Sequence, residues 1–251
     1  MRAAFLLLAG GAIALAAPAS AQSDFTTHYR VDAAGRVTGT ISADPDGAGG
    51  NTPQAVRSTY DLAGRLIKVE TGTLATWQSE AVTPANWSGF TVHKVLDTVY
   101  DGVSRKVKEV LSSAGTAYTV TQYSYDAYGR LECTAVRMNP AVFGSLPASA
   151  CTLGTAGSDG PDRITRNFYD AAGQLLKVQK AVGTDVQIDY ARYEYTPNGK
   201  QKAVIDANGN RAEFAYDGFD RRARWTFPSP TSAGSVNTSD YEEYGYDANG
   251  N

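Results

Sequence analysis

Chemistry at a protein site needs nucleophiles, proton carriers or metal ligands at workable spacing, and this chain is sparing with all three. It has 2 His and 2 Cys in 251 residues. His28 and His93 stand apart, and neither sits in a Ser-His-Asp or Cys-His setting that would activate a nucleophile. Ala156-Gly157-Ser158-Asp159-Gly160 comes nearest to a nucleophile elbow, but it lacks the first Gly and any strand-to-helix context. Asp44-Pro45-Asp46-Gly47 spaces carboxylates as a calcium loop does. Ala48 and Ala55 then fall where ligands are required, so a solvated turn is the expectation. With no phosphate loop, His-x-x-x-His pair or multi-Cys cluster, the residues predict no enzyme, no catalytic residue, no metal and no cofactor.

Two further sets of side chains invite a reading. Cys133 and Cys151 are an even pair, which in an oxidising compartment most simply forms one disulfide. A reactive thiol has no His near it in sequence to support it. Trp77 and Trp87 fall in a non-repeat stretch, where they are either candidate carbohydrate contacts or a cap on the hydrophobic end of a sheet. No acidic or amide cluster accompanies them, which favours the cap.

The first 21 residues read as an export signal. Arg2 supplies the charge, Ala3 to Ala16 the apolar run, and Ala19-Ser20-Ala21 a small-residue cleavage site. The run is too short to span a bilayer, and nothing later is apolar enough to do so. The expected location is therefore secreted, at the cell surface or in the periplasm. A net charge of −3 argues against a nucleic-acid partner, which would call for clustered Lys and Arg. The 15 Tyr and 25 Gly suit a turn-rich β protein.

What positions everything else is one stretch written repeatedly. Tyr60-Asp61-Leu62-Ala63-Gly64-Arg65-Leu66 returns as Tyr125-Asp126-Ala127-Tyr128-Gly129-Arg130-Leu131 and as Tyr169-Asp170-Ala171-Ala172-Gly173-Gln174-Leu175. Looser copies start at Val31, Tyr100, Tyr195, Ile205 and Tyr216, and another begins at Tyr246. Asp at the first position of a type I turn bonds the backbone two residues on, and the Gly accepts φ > 0 without a Cβ clash. The result is a hairpin loop closed by a glycine bulge. The turn-defining pairs are Asp61 with Gly64, Asp126 with Gly129, Asp170 with Gly173, and Asp206 with Gly209. Asp61 and Arg65 should form a cross-strand pair on one face, with Tyr60 and Leu66 together on the other. The copies at Tyr100 and Tyr216 carry Ser104 and Asp220 where Gly belongs. Either the positive-φ residue shifts within those turns or Asp220 itself adopts the left-handed conformation.

Between the turns, residues alternate: Tyr123 and Tyr125 share a face, with Gln122 and Ser124 opposite. The same holds for Tyr193/Tyr195 and Phe214/Tyr216, so an aromatic row should pack on one side only. Tyr195 and Tyr216 bracket one period, with the Asp206 turn almost midway, so one repeat is two turns and two strands. A lone hairpin is marginal in water, so the copies must stack or spiral into an all-β array. The repeat region runs from 22 to 251, with inserts at about 71–98 and 134–163.

Tyr-Asp-x-x-Gly-Arg-Leu at this spacing resembles the YD-repeat, or RHS (rearrangement hotspot), family, with the likeness covering roughly residues 29–251. In that family, repeats wind a long sheet into a hollow shell. Bacterial toxins enclose a cytotoxic C-terminal region in it, and animal teneurins use it in cell–cell recognition. The resemblance implies a non-enzymatic, exported wall segment whose partner is the rest of its own longer chain. The Asp-Pro- and Gly-rich core segment that closes such shells does not occur here. The chain also stops in mid-hairpin at Asp247-Ala248-Asn249-Gly250-Asn251, which suggests an N-terminal portion of a longer protein. The competing expectation is an adhesion module contacting surface glycans or a neighbouring cell.

The turn assignment has a direct consequence. Gly129→Val forces a β-branched residue to φ > 0 and should destabilise by more than about 1 kcal/mol in urea melts. Ala127→Ser should be nearly silent; equal effects would count against the turn.

Overall fold

Where Asp and Gly recur, the backbone reverses, and the strands between reversals pair in sequence order. The structure, a computed structural model, describes residues 26–43, 46 and 50–251. The expected export signal and most of the Asp44–Gly47 turn lie outside the described residues. The strands are β1 (His28–Val31), β2 (Val37–Ile41), β3 (Gln54–Tyr60), β4 (Leu66–Leu74), β5 (Phe90–Tyr100), β6 (Lys106–Ser113), β7 (Thr116–Tyr125) and β8 (Leu131–Arg137). They continue as β9 (Arg163–Tyr169), β10 (Leu175–Lys180), β11 (Ile188–Tyr195), β12 (Gln201–Asp206), β13 (Arg211–Tyr216), β14 (Arg222–Pro228) and β15 (Val236–Glu243). All belong to one 15-stranded sheet in the order β1 to β15, an antiparallel meander without crossovers. The only helical pieces among the described residues are short 3-10 turns at Pro84–Asn86 and Pro140–Val142.

Register shows what the motif does to the ladder. Tyr125 pairs with Leu131 and Tyr169 with Leu175, and a bulge follows immediately in each case. The same one-residue slip recurs at Tyr100, Tyr195 and Tyr216. An extra residue beside each turn is what a glycine bulge inserts.

Two compact units divide the protein. One holds the described residues up to Val56 together with Gly72–Thr91. Residues 71–74 and 90–98, which the sequence reads as insert, are strand, because their alternation continues β4 and β5; the loop proper is 75–89. That loop lies on β2: a Cβ on Gly39 would come within 2.5 Å of Pro84 and 2.7 Å of Trp87, so only glycine admits the contact. Under the loop, Trp87 joins Ile41, Ala55 and Leu74 in a small core, with Trp77, Val82 and Phe90 against it.

The other unit holds Arg57–Thr71 and Val92–Asn251. Its second loop, residues 138–162, is tied to β8 by the Cys133–Cys151 disulfide. Here the structure departs from the expected one-sided packing. The fully buried residues Cys133, Ala135 and Ile164 sit under the loop, on the face that carries Gln122 and Ser124, whereas Tyr123 and Tyr125 are half-buried. The polar face can be covered because the loop supplies partners. Gln122 donates to the Pro147 carbonyl at 2.9 Å, and Ser124 accepts from the Ala150 N–H at 2.8 Å.

One ion pair anchors this cover. Arg137 and Asp162 are 2% and 4% exposed and meet at 2.6 Å. The Arg137 guanidinium also donates to Gln122 Oε1 and to the carbonyls of Thr152 and Ser149. Asp162 accepts the backbone N–H groups of Met138 and Gly154. Burial pushes the Asp162 carboxyl up, but these bonds outweigh it and hold it below the usual range. Removing one partner of such a pair strands the other, so Arg137→Ala should destabilise by about 3–5 kcal/mol. Replacing Arg137 and Asp162 together should cost less than the sum of the two single losses, because neither charge is then stranded, measured as urea midpoints in the same buffer.

Candidate functional site: the row of linked turns

Each motif turn is built from the same bonds. At Asp126, the backbone N–H donates to the Arg130 carbonyl and the Gly129 N–H returns to the Asp126 carbonyl, both at 2.9 Å. Asp126 Oδ1 accepts from the backbone N–H groups of Tyr128 and Arg130, and Oδ2 accepts from Arg130 Nε at 2.7 Å. Asp61, Asp101 and Asp217 repeat this pattern with Arg65, Arg105 and Arg221. Variants keep the geometry with other atoms. Gln174 and Asn210 donate to Asp170 and Asp206 through their backbone N–H groups, and Thr196 offers its hydroxyl oxygen to Lys200 N–H.

The bonds hold the carboxyls of Asp61, Asp101, Asp126, Asp206 and Asp217 below their usual range. At Asp61 and Asp101 the backbone N–H of the turn's Arg contributes most. At Asp126 and Asp217 desolvation pulls upward and is outweighed by the Arg bonds. Gly64, Gly129, Gly173 and Gly209 have φ of 80°, 80°, 85° and 83°. In the two irregular turns, Ser104 (φ 67°) and Asp220 (φ 63°) themselves take the left-handed conformation.

The linkage between turns is what sequence reasoning missed. Five motif tyrosines reach back: the hydroxyls of Tyr100, Tyr125, Tyr169, Tyr195 and Tyr216 donate to the carbonyls of Leu66, Lys106, Leu131, Leu175 and Gln201. That carbonyl always opens the return strand of the preceding hairpin. The arginines reach forward. Arg65, Arg105 and Arg130 stack on the rings of Tyr100, Tyr125 and Tyr169 at 4.9, 4.6 and 4.7 Å. Arg65 and Arg130 also donate to the carbonyls of Asp101 and Asp170 in the next turn. The signal was in plain view, since Arg or a polar stand-in follows the bulge position so regularly. Its reach across a whole hairpin was not, because nothing in a local pattern says which neighbouring turn a long side chain meets.

The side chains singled out for chemistry do not converge. Trp87 is 6% exposed, with its ring in the small core, which leaves no face for a sugar. Trp77 meets His28 edge-on at 4.4 Å and lies beside Arg30. Glu132 is close to both cysteine sulfurs, but these are bonded to each other and offer no thiolate to a metal. A groove of about 620 Å³ runs past Lys108, Gln122 and Ser124 to the loop at Pro147. On its margin Tyr123 donates to Glu109 at 2.5 Å, and burial together with that bond pushes the phenol up, away from nucleophilic use.

Comparison with known proteins adds little to this geometry. No family model matches the protein, and no curated protein does. Among solved structures, the TcdB2-TccC3-TEV assembly and TcdB2-TccC3 without its hypervariable C-terminal region align over 90% of this protein at 18% identity, with a TM-score of 0.44. A Photorhabdus luminescens Tc holotoxin pore aligns over 84% at 14% identity, with a TM-score of 0.27. This protein spans 11% of the length of the first two and 14% of the third.

Tyr125→Phe deletes a cross-hairpin bond while keeping the ring, and should destabilise by about 1 kcal/mol. Tyr128→Phe, at an exposed tip, should change stability by less than about 0.5 kcal/mol. Because the turn aspartates are depressed on folding, their contribution is complete above the unfolded value and is lost as pH falls through the folded one. Urea midpoints should therefore be flat above about pH 5 and drop below about pH 4.

Proposed function

We propose that this protein is a wall segment of a repeat-built β-shell, exported and without catalytic activity of its own. With the rest of a longer polypeptide it encloses or presents a C-terminal, toxin-like region. The observation that carries this reading is the two-way linkage of turns. Tyrosine binds the hairpin behind and, where it is present, arginine binds the turn ahead, so the sheet extends by adding similar joints and needs no central core. The two long described loops supply local cores instead. Acidic and basic groups along the turns are tied to one another, an arrangement suited to holding a wall together. The adhesion reading has less behind it, because the burial of Trp87 removes half of the aromatic platform it needs.

The test uses the full-length gene product. Limited proteolysis of native protein should leave the region downstream of the repeats protected, and Gly129→Val should expose it at lower protease concentration. A downstream region cut equally fast when intact and when separated from the repeats would overturn the shell reading. So would selective glycan binding abolished by Trp77→Ala, which belongs to the adhesion reading.

A further inference from the structure

An asparagine precedes the bulge glycine at Asn198-Gly199, at Asn208-Gly209 and at Asn249-Gly250. Such a pair can react with itself. The glycine nitrogen attacks the asparagine Cγ, a ring bond forms between them, and the Cγ–Nδ2 bond breaks. Ammonia leaves, carrying away the glycine N–H proton. Water then opens the succinimide at either carbonyl to give aspartate or isoaspartate, so the net change is amide plus water to carboxylic acid plus ammonia. Glycine has no Cβ to obstruct the attack.

The backbones of the first two of these turns match. Gly199 and Gly209 both have φ 83°, and each N–H is engaged by the carbonyl three residues back, at 2.9 and 3.1 Å. Their side chains do not match. Asn198 is held at both ends of its amide: Nδ2 donates to Asp220 Oδ1 at 2.6 Å, and Oδ1 accepts from the Thr196 hydroxyl at 2.5 Å. Asn208 is exposed, and its side-chain amide has no hydrogen-bond partner among the described residues.

Asp220 is the residue that stands where the motif has glycine, at φ 63°. The left-handed conformation is strained for an L-residue, so its side chain should be doing something in the neighbouring turn. Ser104, the other such residue, grips the preceding turn through Arg65 Nη1 at 3.1 Å. Asp220 grips its own preceding turn through Asn198 and also lies 3.8 Å from Lys200.

We propose that Asn208 is a site of spontaneous conversion to aspartate and isoaspartate, and that Asp220 locks Asn198 out of the same reaction. To react, Asn198 must leave a charge-assisted bond and swing its Cγ over the Gly199 nitrogen, whereas Asn208 needs only the backbone opening. Isoaspartate at 208 would lengthen the backbone inside the turn. It would thereby disturb the Gly234 N–H bond to the Gly209 carbonyl, which at 2.7 Å seats the 229–235 loop.

The test is peptide mass mapping of the folded protein during incubation near neutral pH, with isoaspartate distinguished from aspartate. Asn208 should convert about tenfold faster than Asn198 or more, the factor that roughly 1.4 kcal/mol of barrier supplies. Asp220→Gly restores the residue that the backbone prefers and removes the lock. It should fold at least as stably as the parent and bring Asn198 up to the rate of Asn208. In denaturing urea the two sites should convert alike. Asn198 converting as fast as Asn208 in the folded parent would overturn the proposal, as would an unchanged Asn198 rate in a folded Asp220→Gly variant.

Discussion

A single carboxylate holding its own turn is the constraint on which the rest depends. Asp Oδ1 satisfies two backbone N–H groups that a three-residue reversal would otherwise leave exposed, and Oδ2 fixes the arginine that follows. With the arginine oriented by that contact, its planar guanidinium can lie on the next tyrosine ring and still donate to the next turn. If the aspartate were lost, both the local loop and the long-range stack would loosen together. The turn aspartate thus acts at two levels, closing a loop and aiming a side chain across a hairpin.

Topology multiplies the effect. In an antiparallel meander, every connection from an odd to an even strand falls on one edge of the sheet. In the larger unit the turns at 61–65, 101–105, 126–130, 170–174, 196–200 and 217–221 therefore form one row. The 138–162 loop, the Asp206 turn and the 229–235 loop occupy the opposite edge. One edge is regular and self-linked; the other carries the variations, including the disulfide and the buried Arg137–Asp162 pair.

Much of this was legible in the sequence, for a physical reason. A turn is a local object, so Asp61 and Gly64 announce it within a few residues, and Tyr123/Tyr125 alternation announces a strand just as locally. The all-β array of stacked antiparallel hairpins followed from repeating such units. What did not show was anything decided by contact between distant segments. Gln122 and Ser124 read as a solvent face because the loop that supplies their partners lies farther along the sequence. The 75–89 loop looked longer than it is, since Thr71 and Thr73 lack the aromatic signature of the other strands. Gly39 carried no visible warning that Pro84 and Trp87 would come to rest on it. Among the candidate site residues, the turn pairs stand at hairpin apices with positive-φ glycines, while Trp87 is enclosed.

The joint between neighbouring hairpins is asymmetric: a hydroxyl projects to one side and a guanidinium to the other. A unit that has both the tyrosine and the arginine therefore carries a plug and a socket of fixed orientation. Any copy can in principle be duplicated, deleted or exchanged by recombination without redesigning the junctions on either side. Only the terminal units, each with one connector empty, need special sequence. Length in such a protein is then free to drift over evolutionary time, while handedness and spacing are inherited intact from the single unit.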